Sequence, residues 1–344
     1  MKILMPDATV LICTLNRAVL LDRTLTSLAA MHVPRLRWEV LVVDNGSTDG
    51  TRALVEGRQR SFPVPLRYVF ERMPGRSAAM NTGLAASDAP FVVFTDDDVE
   101  VSAGWLEAAC EPMRQDAAIA YTGGPVEPIW EAPCPAWFPQ TGRTLWGTLA
   151  ILDYGAEPFV FEERQRVPLG VNFALRRRLV DDIGAFEPSL GRSSGRVLLG
   201  QEVPELLCRA REAGAHGMYV PAMRVRHHVP ARRLRASYCR RWWYGKGVSR
   251  ARLHARHPVT ELGLDLRSVP TIAGVPRFLF GDAAREAMRW IAAAATGRTG
   301  ARIAAETQLC YLAGLIRETL RLTAPRARRM PGRMPSRKPV VREP

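Results

Sequence analysis

The chain contains the stretch Trp38-Glu39-Val40-Leu41-Val42-Val43-Asp44-Asn45-Gly46-Ser47-Thr48-Asp49-Gly50-Thr51, in which an apolar run ends abruptly in polar and turn-forming residues. A short run rich in valine and leucine, followed by Asn and Gly, predicts a buried β-strand and then a turn. A second stretch, Phe91-Val92-Val93-Phe94-Thr95-Asp96-Asp97-Asp98-Val99, has the same organisation. Such runs, separated by segments with helical periodicity, are typical of a mostly parallel sheet covered by helices.

The same patterns predict the neighbouring elements. Strands are expected at residues 9–13, 38–43, 66–70, 91–95, 171–175 and 219–221. Between the first two, Leu21, Leu25 and Leu28 recur at i, i+4 and i+7, which is the apolar stripe of a helix that covers a sheet. Further helices are predicted at residues 75–86 and 202–213. The predicted fold class is therefore α/β and Rossmann-like, with a C-terminal helical appendage.

Three parts are predicted along the chain: an α/β domain at residues 1–257, a helical region at 258–324 and a disordered basic tail at 325–344. The helical region carries helical patterns at residues 278–295 and 301–322, and the tail is rich in proline and arginine. Residues 123–168 interrupt the α/β pattern with prolines and three tryptophans, and we expect a long ordered excursion there.

The composition is that of an ordinary globular protein, with 344 residues of which 47% are hydrophobic. The net charge of +14 comes mainly from residues 224–256, with eleven Lys and Arg, and from residues 321–344, with eight. Charge concentrated in two segments favours local anion or surface contacts over an extended nucleic-acid face. Six cysteines without a Cys-x-x-Cys pair, and no apparent signal peptide or membrane-spanning run, predict a cytoplasmic protein.

Carboxylates follow directly after two of the predicted strands, where ligands collect in a parallel sheet. In an extended segment Asp96 and Asp98 lie on one side while Asp97 points elsewhere. Two converging carboxylates repel each other, and a divalent cation held together with phosphate oxygens relieves that repulsion. A solvated acidic turn is the alternative for this triplet considered in isolation.

These motifs together resemble the inverting glycosyltransferases of family 2, which have the nucleotide-sugar-binding GT-A fold. The resemblance covers residues 9–250 and includes Thr14-Leu15-Asn16-Arg17, the Asp-x-Gly-Ser-x-Asp run that begins at Asp44, and the Asp96-Asp97-Asp98 triplet. Asn81 and Gly83 fit the family's Ala-x-Asn-x-Gly helix start, and residues 170–177 fit its Gly-x-Asn-x-x-x-Arg-Arg strand.

The resemblance implies a role for each matching residue. Thr14 and Asp44 would hold the nucleotide base and ribose, and Asp96 would contact ribose or sugar. Asp98, with Asp96 and His228, would bind Mn²⁺ or Mg²⁺; His227 is the alternative histidine, and packing is the other explanation for both. The remaining residues implied in nucleotide-sugar binding are Asn16, Arg17, Asn81, Asp97, Asn172, Gln201, Arg240 and Arg241. The last two lie in a segment that resembles the family's Arg-Arg-Trp region, which covers the diphosphate, and a solvated basic helix is the alternative for them.

The catalytic base is implied at Glu202, because the family places an acidic pair before a helix and this chain has Gly200-Gln201-Glu202. The first acid of that pair is therefore replaced by Gln201. Glu205 is the substitute candidate, and stabilisation of the helix dipole is the alternative role for Glu202. Asp49 is expected to cap the following helix.

The predicted function is inverting transfer of a sugar from a nucleotide diphosphate sugar, most commonly a UDP-sugar in this family, to a hydroxyl acceptor. The acceptor is expected to be a glycan, a lipid-linked molecule or a small molecule in cell-surface polysaccharide or glycolipid assembly. The tryptophans of residues 123–168 would form the acceptor wall by stacking on sugar rings, and packing in a satellite core is the alternative for them. Peripheral contact with an anionic inner membrane and no nucleic-acid partner are also expected. A sugar-phosphate nucleotidyltransferase, an RNA-binding protein and a catalytically silent relative remain the alternatives.

Overall fold

The computed structural model describes residues 5–138, 143–162, 166–191 and 198–324. Within these ranges the strands are β1 (Ala8–Thr14), β2 (Trp38–Asp44), β3 (Leu66–Phe70), β4 (Phe91–Thr95), β5 (Val99–Val101), β6 (Ile119–Gly123), β7 (Val126–Trp130), β8 (Phe159–Val160), β9 (Asn172–Arg176), β10 (His216–Tyr219), β11 (Val225–Val229), β12 (Thr271–Ile272) and β13 (Val275–Pro276). The α-helices are α1 (Ala18–Ala29), α2 (Thr51–Arg58), α3 (Arg76–Ala85), α4 (Trp105–Gln115), α5 (Arg177–Ile183), α6 (Glu202–Glu212), α7 (Ala236–His254), α8 (Phe278–Ala295) and α9 (Thr299–Thr323). Short 3₁₀ helices occupy Arg143–Leu149, Pro188–Leu190 and Ala231–Leu234.

The main sheet has eight strands in the order β3-β2-β1-β4-β9-β6-β10-β8. Strands β1 to β4 pair in parallel, which confirms the predicted α/β architecture, and β9 runs antiparallel between β4 and β6. Successive residues alternate between two cores, so Val10 and Ile12 pack with the α1 side while Leu11 packs with the α3 side. The parallel order brings the carboxyl ends of β1, β2 and β4 to one edge.

A second sheet of three strands, in the order β5-β11-β7, lies beside that edge. Strand β7 falls inside the predicted excursion at residues 123–168. Part of this segment therefore has regular structure, although its sequence shows no strand or helix periodicity. Its pairing with β11 supplies the backbone hydrogen bonds that the proline-rich sequence cannot make locally. The strand expected at residues 219–221 instead ends at Tyr219.

The C-terminal helices pack onto the α/β body along α7. Two glycines allow α7 and α9 to approach closely. A Cβ atom on Gly247 would lie 2.0 Å from the Tyr311 carbonyl oxygen, and one on Gly314 would lie 2.2 Å from the Tyr244 carbonyl oxygen. Intramolecular packing of α9 is therefore the observed arrangement. Residues 325–344, expected to form a basic tail, lie outside the described residues. Within the described ranges, none of the helices combines the length and apolarity that crossing a bilayer requires.

Candidate active site

Thr14 and Asp44 are neighbours at the carboxyl edge, because the parallel register of β1 and β2 pairs them directly. Asp44 is buried, and its two carboxylate oxygens accept hydrogen bonds from the Ser47 backbone N–H at 2.8 Å and the Tyr68 hydroxyl at 2.9 Å. Burial and the hydrogen bond to Asp44 raise the pKa of Tyr68 to about 12, so the phenol remains a donor at neutral pH. The Asp44 carboxylate is thereby fixed at the strand end.

The loop after β2 is tied to the loop after β1. Asn16, with a left-handed φ of 54°, accepts a hydrogen bond from the Thr48 backbone N–H at 2.7 Å, and its own backbone N–H donates to Ser47 Oγ at 2.8 Å. Asp49 accepts from the backbone N–H groups of Ala18 and Thr51. Asp49 therefore braces the turns before α1 and α2, whereas the N-cap position of α2 itself is occupied by Gly50.

Asp97 is set apart from Asp96 and Asp98 as expected, but residues 97 and 98 form a turn between β4 and β5 and not the extended segment on which the expectation was based. Asp97 turns inward, where Thr14 Oγ1 and Arg17 Nη1 each donate to its carboxylate at 2.7 Å. Burial raises the pKa of Asp97 to about 6. Burial also disfavours the charged form of Asp98, but its contacts with His227, Arg17 and Arg233 outweigh that effect and lower its pKa. Asp98 is thus the more firmly ionised of the two.

Asp96, Asp98 and His227 each offer a ligand atom, and these atoms lie within 4.8 Å of one another. Arg17 occupies Oδ2 of Asp98 at 2.7 Å, whereas the buried Oδ1 has no hydrogen-bond partner among the described residues and lies 3.4 Å from His227 Nε2. An unpartnered carboxylate oxygen beside a second carboxylate and an imidazole fits a divalent cation such as Mn²⁺ or Mg²⁺.

The structure brings His227, and not the predicted His228, into this cluster. The antiparallel register of β5 and β11 pairs His227 with Val99, the residue that follows Asp98, and adjacent strand residues point to opposite faces. The backbone N–H of His228 still contributes, donating to the Asp98 carbonyl at 2.8 Å. His228 therefore anchors the triplet through its main chain, and its residue lines a small cavity with Arg17 and Asp98 outside the three-residue cluster.

Two arginines that the sequence did not single out lie at the site. Arg76, at the start of α3, forms ion pairs with Asp96 at 2.6 Å and with Glu202 at 3.6 Å. Arg233, in the 3₁₀ turn after β11, lies 4.0 Å from Asp98 Oδ2 and 3.3 Å from His227 Nε2. The sequence could have indicated both arginines by their position next to motif residues. Arg76 begins α3, which carries the Asn81 and Gly83 motif, and Arg233 lies in the turn that follows the histidine pair.

Glu202 opens α6 with 7% of its surface exposed, and its Oε2 has no hydrogen-bond partner in the described part of the chain. Burial lowers the pKa of Arg76, but the charges of Asp96 and Glu202 outweigh this and raise it, so the bridging guanidinium stays charged. The substitute base Glu205 is engaged elsewhere, by Arg209 at 2.7 Å and His257 at 3.3 Å. Glu202 is the carboxylate that faces the cluster.

Gln201 is buried directly before α6. Its Nε2 donates to the Gly200 carbonyl at 2.8 Å, and its Oε1 has no partner within the described ranges. The amide oxygen beside Glu202 is therefore the polar atom with which Gln201 can meet a ligand.

Three predicted nucleotide-sugar residues, Asn172, Asn81 and Arg240, have other partners, and a fourth, Arg241, is exposed. Asn172 is fully buried and accepts from Trp105 Nε1 at 2.8 Å while donating to the carbonyls of Pro125 and Met223, so it holds strands together. Asn81 exchanges two hydrogen bonds with the backbone of Phe186.

Arg240 points away from the site towards α9, where it pairs with Glu306 at 2.6 Å. Arg241 is exposed on α7. The predicted diphosphate contacts at these two positions are not brought to the cluster, because α7 turns this part of its surface towards α9 and solvent.

The sequence comparison identifies relatives with sugar-transfer functions. A sequence model described as Glycosyl transferase family 2 matches residues 9–184. The succinoglycan biosynthesis protein ExoM of Rhizobium meliloti is 32% identical over 246 residues, which is 71% of this chain and 74% of ExoM. The pre-mycofactocin glycosyltransferase of Mycobacterium tuberculosis is 30% identical over 73% of this chain and 48% of its own length.

A solved structure shares the architecture. The mannosyltransferase PcManGT from Pyrobaculum calidifontis, in complex with GDP-Man and Mn²⁺, superposes with a TM-score of 0.59 at 20% identity, covering 92% of this chain and 88% of its own. This likeness confirms the GT-A fold. The family match supports sugar transfer over the nucleotidyltransferase and RNA-binding alternatives. The carboxylates at the sheet edge, the fold and the sequence relatives agree: the chain belongs to glycosyl transferase family 2 and is a glycosyltransferase.

Proposed function

We propose that the protein transfers a sugar from a nucleotide diphosphate sugar to a hydroxyl acceptor with inversion at the anomeric carbon. The observation that carries the proposal is the Arg76 bridge, which holds Glu202 next to Asp96 of the cation cluster. An inverting reaction needs a base near the anomeric carbon, on the face opposite the departing phosphate, because the acceptor attacks C1 from that face while the bond to the phosphate oxygen breaks on the other. The Arg76 bridge supports this role for Glu202, because it keeps the carboxylate close to the cluster that would hold the leaving group.

The donor would bind across the carboxyl edge of β1, β2 and β4. Asp44 and Thr14 meet the base and ribose, since a fixed carboxylate accepts hydrogen bonds from a ring N–H or a ribose hydroxyl. Asn16 shapes this end of the site through the loop after β2. Uridine is the proposed base, on the resemblance to the family.

Asp96, Asp98 and His227 would hold Mn²⁺ or Mg²⁺. The ion, when bound, neutralises the charge that grows on the departing diphosphate. Arg17 and Arg233 already lie against Asp98, and their guanidinium groups are placed to pair with phosphate oxygens as well. These arginines take the role that the resemblance gave to Arg240 and Arg241.

The proton from the acceptor hydroxyl goes to Glu202. The acceptor oxygen forms a bond to C1 while the bond from C1 to the phosphate oxygen breaks, and the nucleotide diphosphate leaves with the electron pair. Oε2 of Glu202 is the receiving atom, because Oε1 faces Arg76 and Oε2 is unpartnered among the described residues. Gln201 Oε1, next to it, would accept a hydrogen bond from a sugar hydroxyl.

The acceptor proposed is a growing glycan or a lipid-linked sugar in cell-surface polysaccharide assembly. Its support is the name of a relative, the succinoglycan biosynthesis protein ExoM, which is 32% identical. Trp146 and Trp137, in the segment after β7, pack with Phe138 and Trp243 in a satellite core. These two tryptophans therefore contribute at least in part to packing, and the predicted sugar-stacking role of the segment falls on the partly exposed Trp130.

Thermal shift with UDP, GDP and ADP, each with and without Mn²⁺, tests donor binding, since a ligand that binds the native state raises the Tm. We expect Asp98→Asn to lose the Mn²⁺-dependent rise. Glu202→Gln should retain the donor-induced rise and lose turnover by about a thousandfold or more. Arg178→Gln, on an exposed side chain of α5, is the matched control and should behave as the wild type. Turnover retained by Glu202→Gln would reassign the base.

We further propose peripheral contact with an anionic membrane at the inner face, through α8. Phe280, Met288 and Ile291 form an exposed apolar stripe on this helix, with Met288 71% and Ile291 61% exposed. Arg285 and Arg289 on the same helix pair with Asp282 and Glu286. The preference for an anionic lipid surface therefore rests on the net charge of +14 of the chain, while the apolar stripe makes the contact.

Vesicle flotation tests the membrane contact. The wild type should float with phosphatidylglycerol-containing vesicles more than with neutral ones, and Met288→Glu combined with Ile291→Glu should reduce flotation. Val19→Glu changes a residue of similar exposure on α1 and should have no effect. Equal flotation of the wild type and the α8 double variant would contradict the contact.

A further inference from the structure

A cavity of about 160 Å³ lies between α6, α7 and the segment that follows α7. Its charged lining comprises three cations, Arg211 on α6 and Lys246 and Arg250 on α7, against a single carboxylate, Glu261. The cavity lies outside the site proposed for the donor, although Lys246 in its lining follows Trp242 and Trp243 in the segment that resembles the family's Arg-Arg-Trp region. An excess of positive charge at a buried site requires an anion or costs free energy.

The cations are poorly satisfied by the protein itself. Lys246 Nζ sits over the rings of Trp242 and Trp243 at 5.2 and 4.8 Å, and has no hydrogen-bond or ion-pair partner in the part of the chain that the structure describes. Burial, with a smaller contribution from the charge of Arg250, lowers the pKa of Lys246 to about 8. Within the same ranges, Arg211 Nη2 and Arg250 Nε are also buried without a hydrogen-bond acceptor. Several N–H donors therefore lack an acceptor.

Glu261 does not remove this excess. It forms an ion pair with Arg250 and so accounts for one of the three cations. The nearby His257 is held by Glu205 and Glu212 at 3.3 and 3.0 Å, which leaves those two carboxylates engaged. Burial and Arg250 lower the pKa of His254 to about 4, so this imidazole is neutral at pH 7 and free to donate a hydrogen bond. Arg211 and Lys246 remain the cations that an incoming anion would meet.

An apolar cavity of about 620 Å³ adjoins the cationic one. His254, Thr260 and Glu261 line both, and the larger cavity continues between the segment after α7, α8 and α9. Its walls are mainly aliphatic and aromatic, including Leu312 and Leu315. A cavity of this size and character is suited to a hydrocarbon chain.

We propose that the two cavities together bind a phosphate-headed lipid, with the phosphate among Arg211, Lys246 and Arg250 and the hydrocarbon chain in the apolar cavity. Guanidinium groups and an ammonium match the oxygens of a phosphate, which carries more charge and more acceptors than a carboxylate. The joined cavities match both halves of such a molecule. The inference stands independently of the proposed function, because binding of head and chain involves no transfer step.

Isothermal titration in EDTA separates the contributions of head and chain. Full-length protein is titrated with farnesyl phosphate, inorganic phosphate and farnesol, each kept below its aggregation concentration. Farnesyl phosphate should bind about a hundredfold more tightly than either inorganic phosphate or farnesol, since it gains both sets of contacts. If farnesyl phosphate binds no more tightly than inorganic phosphate, the hydrocarbon chain does not contribute and the lipid proposal is overturned. If it binds no more tightly than farnesol, the phosphate does not contribute and the proposed phosphate site is overturned.

Variants place the ligand in these cavities. Lys246→Met should weaken the binding of farnesyl phosphate about tenfold and leave the binding of farnesol unchanged. Arg211→Gln provides the same test if Lys246→Met folds poorly. Leu262→Ser, at an 80% exposed position on the lining of the apolar cavity, should weaken farnesyl phosphate and not inorganic phosphate. Val19→Ser is the control for loss of an exposed apolar side chain, and Arg178→Gln is the control for loss of a positive charge. Both should bind farnesyl phosphate like the wild type. Wild-type affinity in both Lys246→Met and Arg211→Gln contradicts the location.

Donor binding distinguishes this proposal from the transfer mechanism. Lys246→Met should retain the Mn²⁺-dependent thermal shift with a nucleoside diphosphate. Loss of the lipid phosphate with donor binding intact supports the second site. Equal loss of both ligands would show that the farnesyl phosphate occupies the donor site and would overturn the inference.

Discussion

Replacement of Asn172 by leucine tests whether this residue binds the donor or holds the fold together. Asn172 stands in the Gly-x-Asn-x-x-x-Arg-Arg strand and was predicted to contact the nucleotide sugar. The structure shows it fully buried, with Trp105 Nε1 donating to its Oδ1 at 2.8 Å and its Nδ2 donating to the carbonyls of Pro125 and Met223. Leucine has the same branching and the same number of side-chain heavy atoms, and it can make none of these bonds.

The magnitude follows from the groups that leucine would leave unpaired. The carbonyl of Pro125 also accepts from the Val225 backbone N–H, so it keeps a partner. The indole N–H of Trp105 and the carbonyl of Met223 lose theirs, at about 1–3 kcal/mol each. The added apolar burial offsets about 1 kcal/mol of that loss. We expect Asn172→Leu to lower the free energy of unfolding by about 3 kcal/mol.

Urea unfolding followed by tryptophan fluorescence and circular dichroism measures the change, with Gln59→Leu on an exposed position of the same body as control. Donor binding is measured in parallel at a temperature where the variant is folded. A structural role predicts a large fall in stability with donor affinity retained. Stability within about 1 kcal/mol of the wild type, together with lost donor binding, would refute the structural role.

Two further predictions concern α7. Lys246→Met should stabilise the protein at pH 7 by about 1–3 kcal/mol in phosphate-free buffer, because the pKa of Lys246 is lowered from 10.5 to about 8 and the cation–π contacts offset part of that cost. Between pH 8 and 10.5 the unfolded chain binds a proton that the native Lys246 has released, so wild-type stability should rise relative to the variant over this window; a constant difference in urea midpoints would contradict this. Gly314→Ala should lower the stability measured in thermal melts by about 1–3 kcal/mol, because the new Cβ would meet the Tyr244 carbonyl oxygen of α7. The control Gly57→Ala, which has open space around it, should be neutral or slightly stabilising. Equal effects of the two substitutions would show that α7 and α9 do not pack so closely.

The sheet and its acidic edge could be predicted because both are local features of the sequence. The apolar runs that end at Asp44 and Thr95 define strands whatever the rest of the chain does, and parallel strands place their carboxyl ends together. Each of these inferences needs only neighbours along the chain.

Residues whose roles depend on distant pairing could not be predicted in this way. The choice between His227 and His228 is fixed by the register of β11 against β5, which lies more than a hundred residues earlier. Arg240 faces Glu306 because α9 packs on α7, and nothing near Arg240 in the sequence indicates that helix. Arg233 replaces it at the site because its turn follows directly after the histidine strand.

The departure at Gln201 has an electrostatic explanation in this structure. Among the described residues, Arg76 is the cation paired with both Asp96 and Glu202, at 2.6 and 3.6 Å. The buried Oε1 of Gln201 has no donor among the described residues, so a glutamate there would be a further buried carboxylate without a partner, next in sequence to Glu202. An uncompensated buried carboxylate costs several kcal/mol or takes up a proton. A neutral amide at position 201 therefore leaves the charge balance around Glu202 with one cation for two acids, and an additional acid would require a second cation in the same place.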